Sequence, residues 1–199
     1  MKKVLLILVC NMLVFSALYA NDIQTLKDRV KAKYISTLPY NKEHIIIESY
    51  NIKTSKKDFI LLILSNWQDD ELGRAVERYS CVDIFGNIKT LQSFCFSNSV
   101  GKVENKKDFF TITSLWQDRI GNIANTYLTF RLINGKFYLH QYSREEGYVD
   151  DAKDKEVIDK TYIYYRQARD DSKKENLIPL ESVNDELLQK LELKYNAKY

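Results

Sequence analysis

Histidine is nearly missing from this chain, and its scarcity does the first sorting. Only His44 and His140 occur among 199 residues, so a histidine-based triad or a multi-histidine metal centre has almost no material to draw on. No G-x-S-x-G elbow, H-E-x-x-H helix or C-x-x-C pair occurs, which removes the common signatures of serine hydrolases, zinc proteases and dithiol oxidoreductases. His44 and Glu48 are separated by four positions, which on an extended strand is about 13 Å, too far to share one metal. The six glycines are never clustered, so no loop can cradle a phosphate through consecutive amides. No cofactor and no catalysis are expected.

A long apolar run is also lacking beyond the first twenty residues. The N-terminus itself reads as a secretory signal peptide over residues 1–20. Lys2 and Lys3 form its basic start, Val4 to Phe15 its apolar run, and Ser16 to Ala20 its small-residue end, with cleavage expected after Ala20. The run is interrupted by Asn11 and falls short of the roughly twenty apolar residues of a membrane span. An uncleaved anchor is the alternative. Cys10 sits mid-run behind Val9, where a lipidation site needs a small residue, so lipidation is excluded.

Neither sign of charge dominates. Without Lys2 and Lys3 the remainder carries 28 basic and 27 acidic side chains, a balance with no electrostatic footprint for nucleic acid. The sequence predicts a periplasmic or secreted protein of one domain over residues 21–199, with no nucleic-acid partner and no membrane contact after cleavage. Its oligomeric state is left open.

Cysteine is sparse but even after cleavage. Cys81 and Cys95 remain, and in an oxidising compartment they are expected to bond. A two-residue turn at Gly86-Asn87 would set Cys81 opposite Gln92 and Cys95 opposite Arg78, on opposite sheet faces. The bond therefore requires a bulge, a longer turn, or Cys95 beyond the end of its strand.

What the chain does have is a stretch that occurs twice. K-K-D-F at 56–59 leads to W-Q-D at 67–69, and K-K-D-F at 106–109 leads to W-Q-D at 116–118. Each copy continues into a loop, a strand-like run, a tight turn and another strand-like run, giving repeat units near 56–96 and 106–142. Phe59 to Leu64 is apolar at every position, as in a strand covered on both faces. Strands are also expected at 44–52, 77–85, 88–96, 109–116, 124–133, 136–142 and 157–166. Asn134-Gly135 is a strong signal for a type I′ hairpin, and all six glycines (73, 86, 101, 121, 135 and 147) fall at expected breaks.

Helices are expected at both ends of the domain. Ile23, Leu26, Val30 and Tyr34 share a face over 22–35, which Pro39 stops. Leu187, Leu188, Leu191 and Tyr195 share a face over 182–195, with Ser182 and Asp185 as a capping-box-like start and Glu186–Lys190 as an i,i+4 pair. The fold class is α+β or mainly β: a curled antiparallel sheet of about eight strands holding two repeated three-strand meanders, flanked by N- and C-terminal helices.

F-T-I-T at 110–113, T-Y-L-T-F-R at 126–131 and N-G-K-F-Y-L-H at 134–140 resemble a pattern of uncharacterised secreted bacterial β-rich proteins. There a Y-[IL]-T-F-[RK] strand is followed by a turn and a G-x-[WF]-Y-L strand. The resemblance implies a similar fold and an exported protein, and it transfers no functional residue.

Two surfaces attract attention. The Asn134-Gly135 turn would put Leu128, Phe130, Leu132, Phe137 and Leu139 on the core face. Tyr127, Thr129, Arg131, Tyr138, His140 and Tyr142 would line the other face, a composition typical of recognition surfaces unless a terminal helix covers it. Trp67 with Asp69, and Trp116 with Asp118, could instead stack on and hydrolyse a glycan, or simply end strands and open turns. Asp69, Asp70 and Glu71 lack calcium-loop spacing and read as a solvated turn, as do Asp150, Asp151 and Asp154. The leading expectation is an exported envelope protein that binds another protein, an inhibitor or toxin-immunity protein being the sharpest version. A glycan-binding or glycan-active protein and a structural or assembly factor of the envelope are the alternatives.

Overall fold

The computed structural model describes residues 22–39, 44–69, 75–86, 88–118, 120–150, 152–153, 155–165, 177–194 and 196–197. The expected signal peptide, the acidic residues Asp70 and Glu71, and Asp151, Asp154 and Tyr195 lie outside them. Among the described residues no helix is long and apolar enough to cross a membrane.

Helix α1 spans 22–34. Four strands follow: β1 (Ile45–Lys53), β2 (Asp58–Asp69), β3 (Ala75–Gly86) and β4 (Lys89–Phe96). They form one antiparallel meander, sheet A, in chain order. The chain then builds β5 (Lys102–Lys106), β6 (Phe109–Gln117), β7 (Asn122–Ile133), β8 (Lys136–Asp150) and β9 (Lys155–Tyr165). These make sheet B, again in chain order, with β10 (Ile178–Pro179) pairing β8 and β11 (Asn196–Ala197) pairing β9. Helix α2 spans Asp185–Lys194.

The mainly β class with two helices stands, but the single eight-strand sheet is replaced by two sheets. The reason lies in β2. Leu61 and Ile63 sit in one buried cluster with residues of sheet B, while Leu62 and Leu64 sit in another with Leu26, Val30, Tyr34 and Leu38 of the α1 segment. A strand apolar on both faces must be covered on both, and a second sheet and a helix supply the two covers. Each K-K-D-F leads into the second strand of its own sheet, β2 or β6. Of these two strands, only β2 is covered twice. In β6, Phe110 and Ile112 are buried while Thr111 and Thr113 stay half-exposed on the face turned away from sheet A.

Strand β5 escapes the sequence pattern because its alternate residues Lys102, Glu104 and Lys106 are all exposed. Charge on an edge strand blunts pairing with other chains and also hides the strand from a hydrophobic reading. Strand β8 runs on to Asp150, beyond the expected end at Tyr142, and Gly147 lies inside it. A Cβ there would meet the Val157 carbonyl oxygen at 1.9 Å, so this glycine serves a close strand approach beside a bulge. At the second helix, Asn184, not Ser182, caps the first turn, its Oδ1 accepting the Leu187 N–H at 2.9 Å. The expected Glu186–Lys190 pair forms at 2.6 Å.

Cys81 and Cys95 are bonded, directly opposite one another with Cα atoms 4.1 Å apart. Two departures from the expected register allow this. Gly86 pairs with Lys89, moving the turn one residue onward, and a bulge leaves Leu91 unpaired between Thr90 and Gln92. Gln92 therefore faces Ile84, not Cys81, and both sulfurs reach the side of sheet A that α1 covers.

Candidate functional site

The Asn134-Gly135 turn forms as its sequence requires, with φ of 49° and 82°, the left-handed values of a type I′ turn. It sets Arg131 opposite Tyr138. One step further a bulge places His140 between two register pairs, since Phe130 faces Leu139 and Thr129 faces Gln141. From there every residue of β8 changes face relative to the bulge-free register. Tyr142 consequently pairs with Leu128 and is buried in the core. Its membership of the candidate face is corrected: the hydroxyl donates to Glu192 of α2, and burial followed by that carboxylate pushes its pKa well above the usual tyrosine value. Arg144 holds the neighbouring Glu146 at 2.9 Å, so this cluster fastens α2 to sheet B.

The other five residues remain together on the outer face of sheet B. Tyr127, Thr129, Arg131, Tyr138 and His140 are each half-buried, and none belongs to either core cluster. Phe109 organises them. The Arg131 guanidinium carbon lies 5.3 Å from the centre of its ring, within cation–π range. His140 meets the same ring edge-on at 5.0 Å. The bulge thus keeps His140 on this face while sending Tyr142 inward.

Polar groups extend the patch. The Thr111 and Thr129 hydroxyls are 2.9 Å apart, and Gln141 lies opposite Thr129. Tyr127 donates to Glu145 at 3.2 Å, and burial together with that carboxylate raises its pKa. Phe109, Thr111 and Gln141 were not singled out from sequence. The signal for the first two was available in F-F-T-I-T, where alternation must send one phenylalanine inward and its neighbour outward. Gln141 could be found only through the bulge.

The W-Q-D sites diverge. Trp67 is half-buried and stacks on His44 at 5.4 Å, whereas Trp116 is 44 % exposed. They lie on strands of different sheets, and no ring contact joins them among the described residues. Asp118 accepts hydrogen bonds from the Ile120 and Asn122 amides at 3.0 and 2.8 Å and from the Asn122 side chain at 2.7 Å. Desolvation is the largest single influence and opposes these donors, but together they prevail and hold its carboxyl below the ordinary range. Its oxygens are occupied in shaping the turn before β7. Asp69 ends β2, its side chain lying outside what is described. Among the described residues, no three His, Cys, Asp or Glu side chains gather as a metal would require.

The site that emerges is a half-buried patch combining a cation, an imidazole, two phenols and paired hydroxyls on a sheet. Comparison with known proteins finds no family model, no curated protein and no solved structure that matches this chain.

Proposed function

We propose that this chain is an exported bacterial envelope protein that binds another protein without catalysis, using the outer face of sheet B, with inhibition or toxin immunity as its sharpest form. The observation that carries this reading is the Phe109–Arg131–His140 stack on a sheet face outside both core clusters. Arginine and tyrosine held in place before binding lose little entropy on complex formation, which is why they dominate protein contacts. The disulfide agrees with an oxidising compartment.

The test is capture from the periplasmic fraction with the intact chain and with Arg131→Ala and Tyr138→Ala, folding being checked by circular dichroism. A partner lost or weakened by about thirtyfold in both variants supports the reading, and a partner indifferent to both overturns it. A second reading, glycan binding, is favoured by the exposure of Trp116. Peptidoglycan binding abolished by Trp116→Ala, with the sheet-B variants unaffected, would replace the first reading.

A further inference from the structure

The twice-occurring lysine pairs have no part in the sheet-B patch, and the fold brings them together. Ser55, in the loop before β2, donates its amide and its hydroxyl to Asp108 at 2.9 and 2.7 Å. The Lys53 amide donates to Asn105 at 2.9 Å. These contacts lay the loop carrying Lys56 and Lys57 against the turn carrying Lys106 and Lys107. The Asp108 backbone carbonyl also accepts the Leu132 amide at 2.8 Å, which brings the β7–β8 hairpin and Lys136 alongside. Strand β4 starts at the same end with Lys89. Lys53, Lys56, Lys57, Lys89, Lys106, Lys107 and Lys136 are all exposed, and none makes an ion pair among the described residues. Asp108, committed to the loop contact, and the exposed Asp58 lie among them, so seven lysines stand against two carboxylates. A chain with balanced totals thus has one strongly basic end.

That end also carries apolar surface. Ile88, next to Lys89 at the tip of the β3–β4 hairpin, is 64 % exposed. Helix α1 begins on this side: Arg29 donates to the Ile88 carbonyl at 2.8 Å, and Lys33, one turn later, reaches Asp83 further along β3. A chain still carrying apolar residues 4–15 would therefore join the domain beside the lysines. Basic side chains surrounding an exposed aliphatic tip match a bilayer interface, where lysines meet phosphate and the tip leaves water. An acidic protein partner would use the lysines but leave Ile88 without a role.

We propose that this lysine-lined end rests on an anionic membrane surface, with Ile88 entering the headgroup layer, which leaves the outer face of sheet B free for a protein partner. The test is cosedimentation of the chain, purified in the form in which it accumulates in the cell, with phosphatidylglycerol–phosphatidylcholine vesicles and with phosphatidylcholine vesicles alone. Each lysine near an anionic surface contributes on the order of fivefold. The combined variant Lys56→Gln, Lys57→Gln, Lys106→Gln, Lys107→Gln is expected to bind the anionic vesicles at least about a hundredfold more weakly. Lys153→Gln with Lys155→Gln, at the opposite end, should leave binding unchanged, and Ile88→Ser should weaken it severalfold even when salt screens the charges. Equal binding to both vesicle types, or equal loss in the two lysine variants, overturns the proposal. So does binding of soluble polyphosphate as tight as that of vesicles, with Ile88→Ser indifferent in both, because the site would then be a general polyanion surface.

Discussion

Breaking the Cys81–Cys95 bond should cost this protein a large share of its stability while leaving its recognition surface intact. The two cysteines are 14 residues apart, and cross-linking a loop of that size restricts the unfolded chain by about 3 kcal/mol at 25 °C. Domains of this kind are stable by only about 5–15 kcal/mol. Cys81 is also fully buried in the cluster under α1, so Cys81→Ala with Cys95→Ala should lose roughly a further 1 kcal/mol from the cavity. The assay is thermal unfolding by circular dichroism on three samples: the oxidised chain, the chain reduced under native conditions, and the double variant. Reduction should lower the melting temperature by roughly 6–12 °C for a domain of this size, and the double variant should be slightly worse and insensitive to reductant. The bond lies on the α1 side of sheet A, so binding through sheet B should persist wherever the reduced protein remains folded. An unchanged unfolding midpoint on reduction would refute the reasoning. A double variant that still responds to reductant would refute it too.

Other outcomes follow from individual contacts. Gln92 bridges the layers, donating to the Phe137 carbonyl at 3.0 Å and to Glu181 at 2.8 Å, while accepting the Phe137 amide. Gln92→Ala leaves both buried groups of Phe137 unpaired and should cost about 2–4 kcal/mol, read as a loss of unfolding free energy in urea. Gly147→Ala would drive a methyl group into the Val157 carbonyl and should destabilise by more than about 2 kcal/mol, with the β8–β9 amides losing protection in hydrogen exchange. Helix α1 is latched by Lys33 and Tyr34 on Asp83 at 2.7 and 3.0 Å. The Lys33 pKa is raised because its bonds to Asp83 and Tyr34 outweigh burial, and burial raises that of Tyr34. Both contributions are complete below the unfolded values near pH 10 and fade as pH rises through the higher folded ones. Stability should therefore fall above about pH 10, more steeply in the intact chain than in Asp83→Asn, as measured by urea midpoints across that range. At the acid end, the Ser55 amide and hydroxyl hold Asp108 below its ordinary range. The contact between its turn and the loop at 54–57 should loosen only as pH falls below the usual carboxylate value, visible as faster exchange of the Ser55 amide.

Much of this architecture was legible residue by residue. Phe59 to Leu64 announced a doubly covered strand, Leu26, Val30 and Tyr34 an amphipathic helix, and Asn134-Gly135 its turn, because each is written in side chains one to four positions apart. Thr111 and Thr113, alternating with Phe110 and Ile112, carry an equally local signal, although neither was singled out from sequence. The candidate patch was readable as far as Arg131 and Tyr138, the third pair from a well-specified turn. Past that pair, His140 and Tyr142 depended on whether the strand slipped.

Only the tertiary structure decided those slips. The bulges at Leu91 and His140 bring Cys81 against Cys95 and turn Tyr142 from the surface into the core. No neighbour in sequence demands them. They form because Phe94 and Phe96, and Leu128 and Tyr142, pack into one shared core, and a one-residue shift is the cheapest way to turn those side chains inward. The gathering of seven lysines at one end has the same origin. Acidic residues elsewhere in the chain nearly balance them in the total, and their concentration exists only because antiparallel strands return their loops to a common edge.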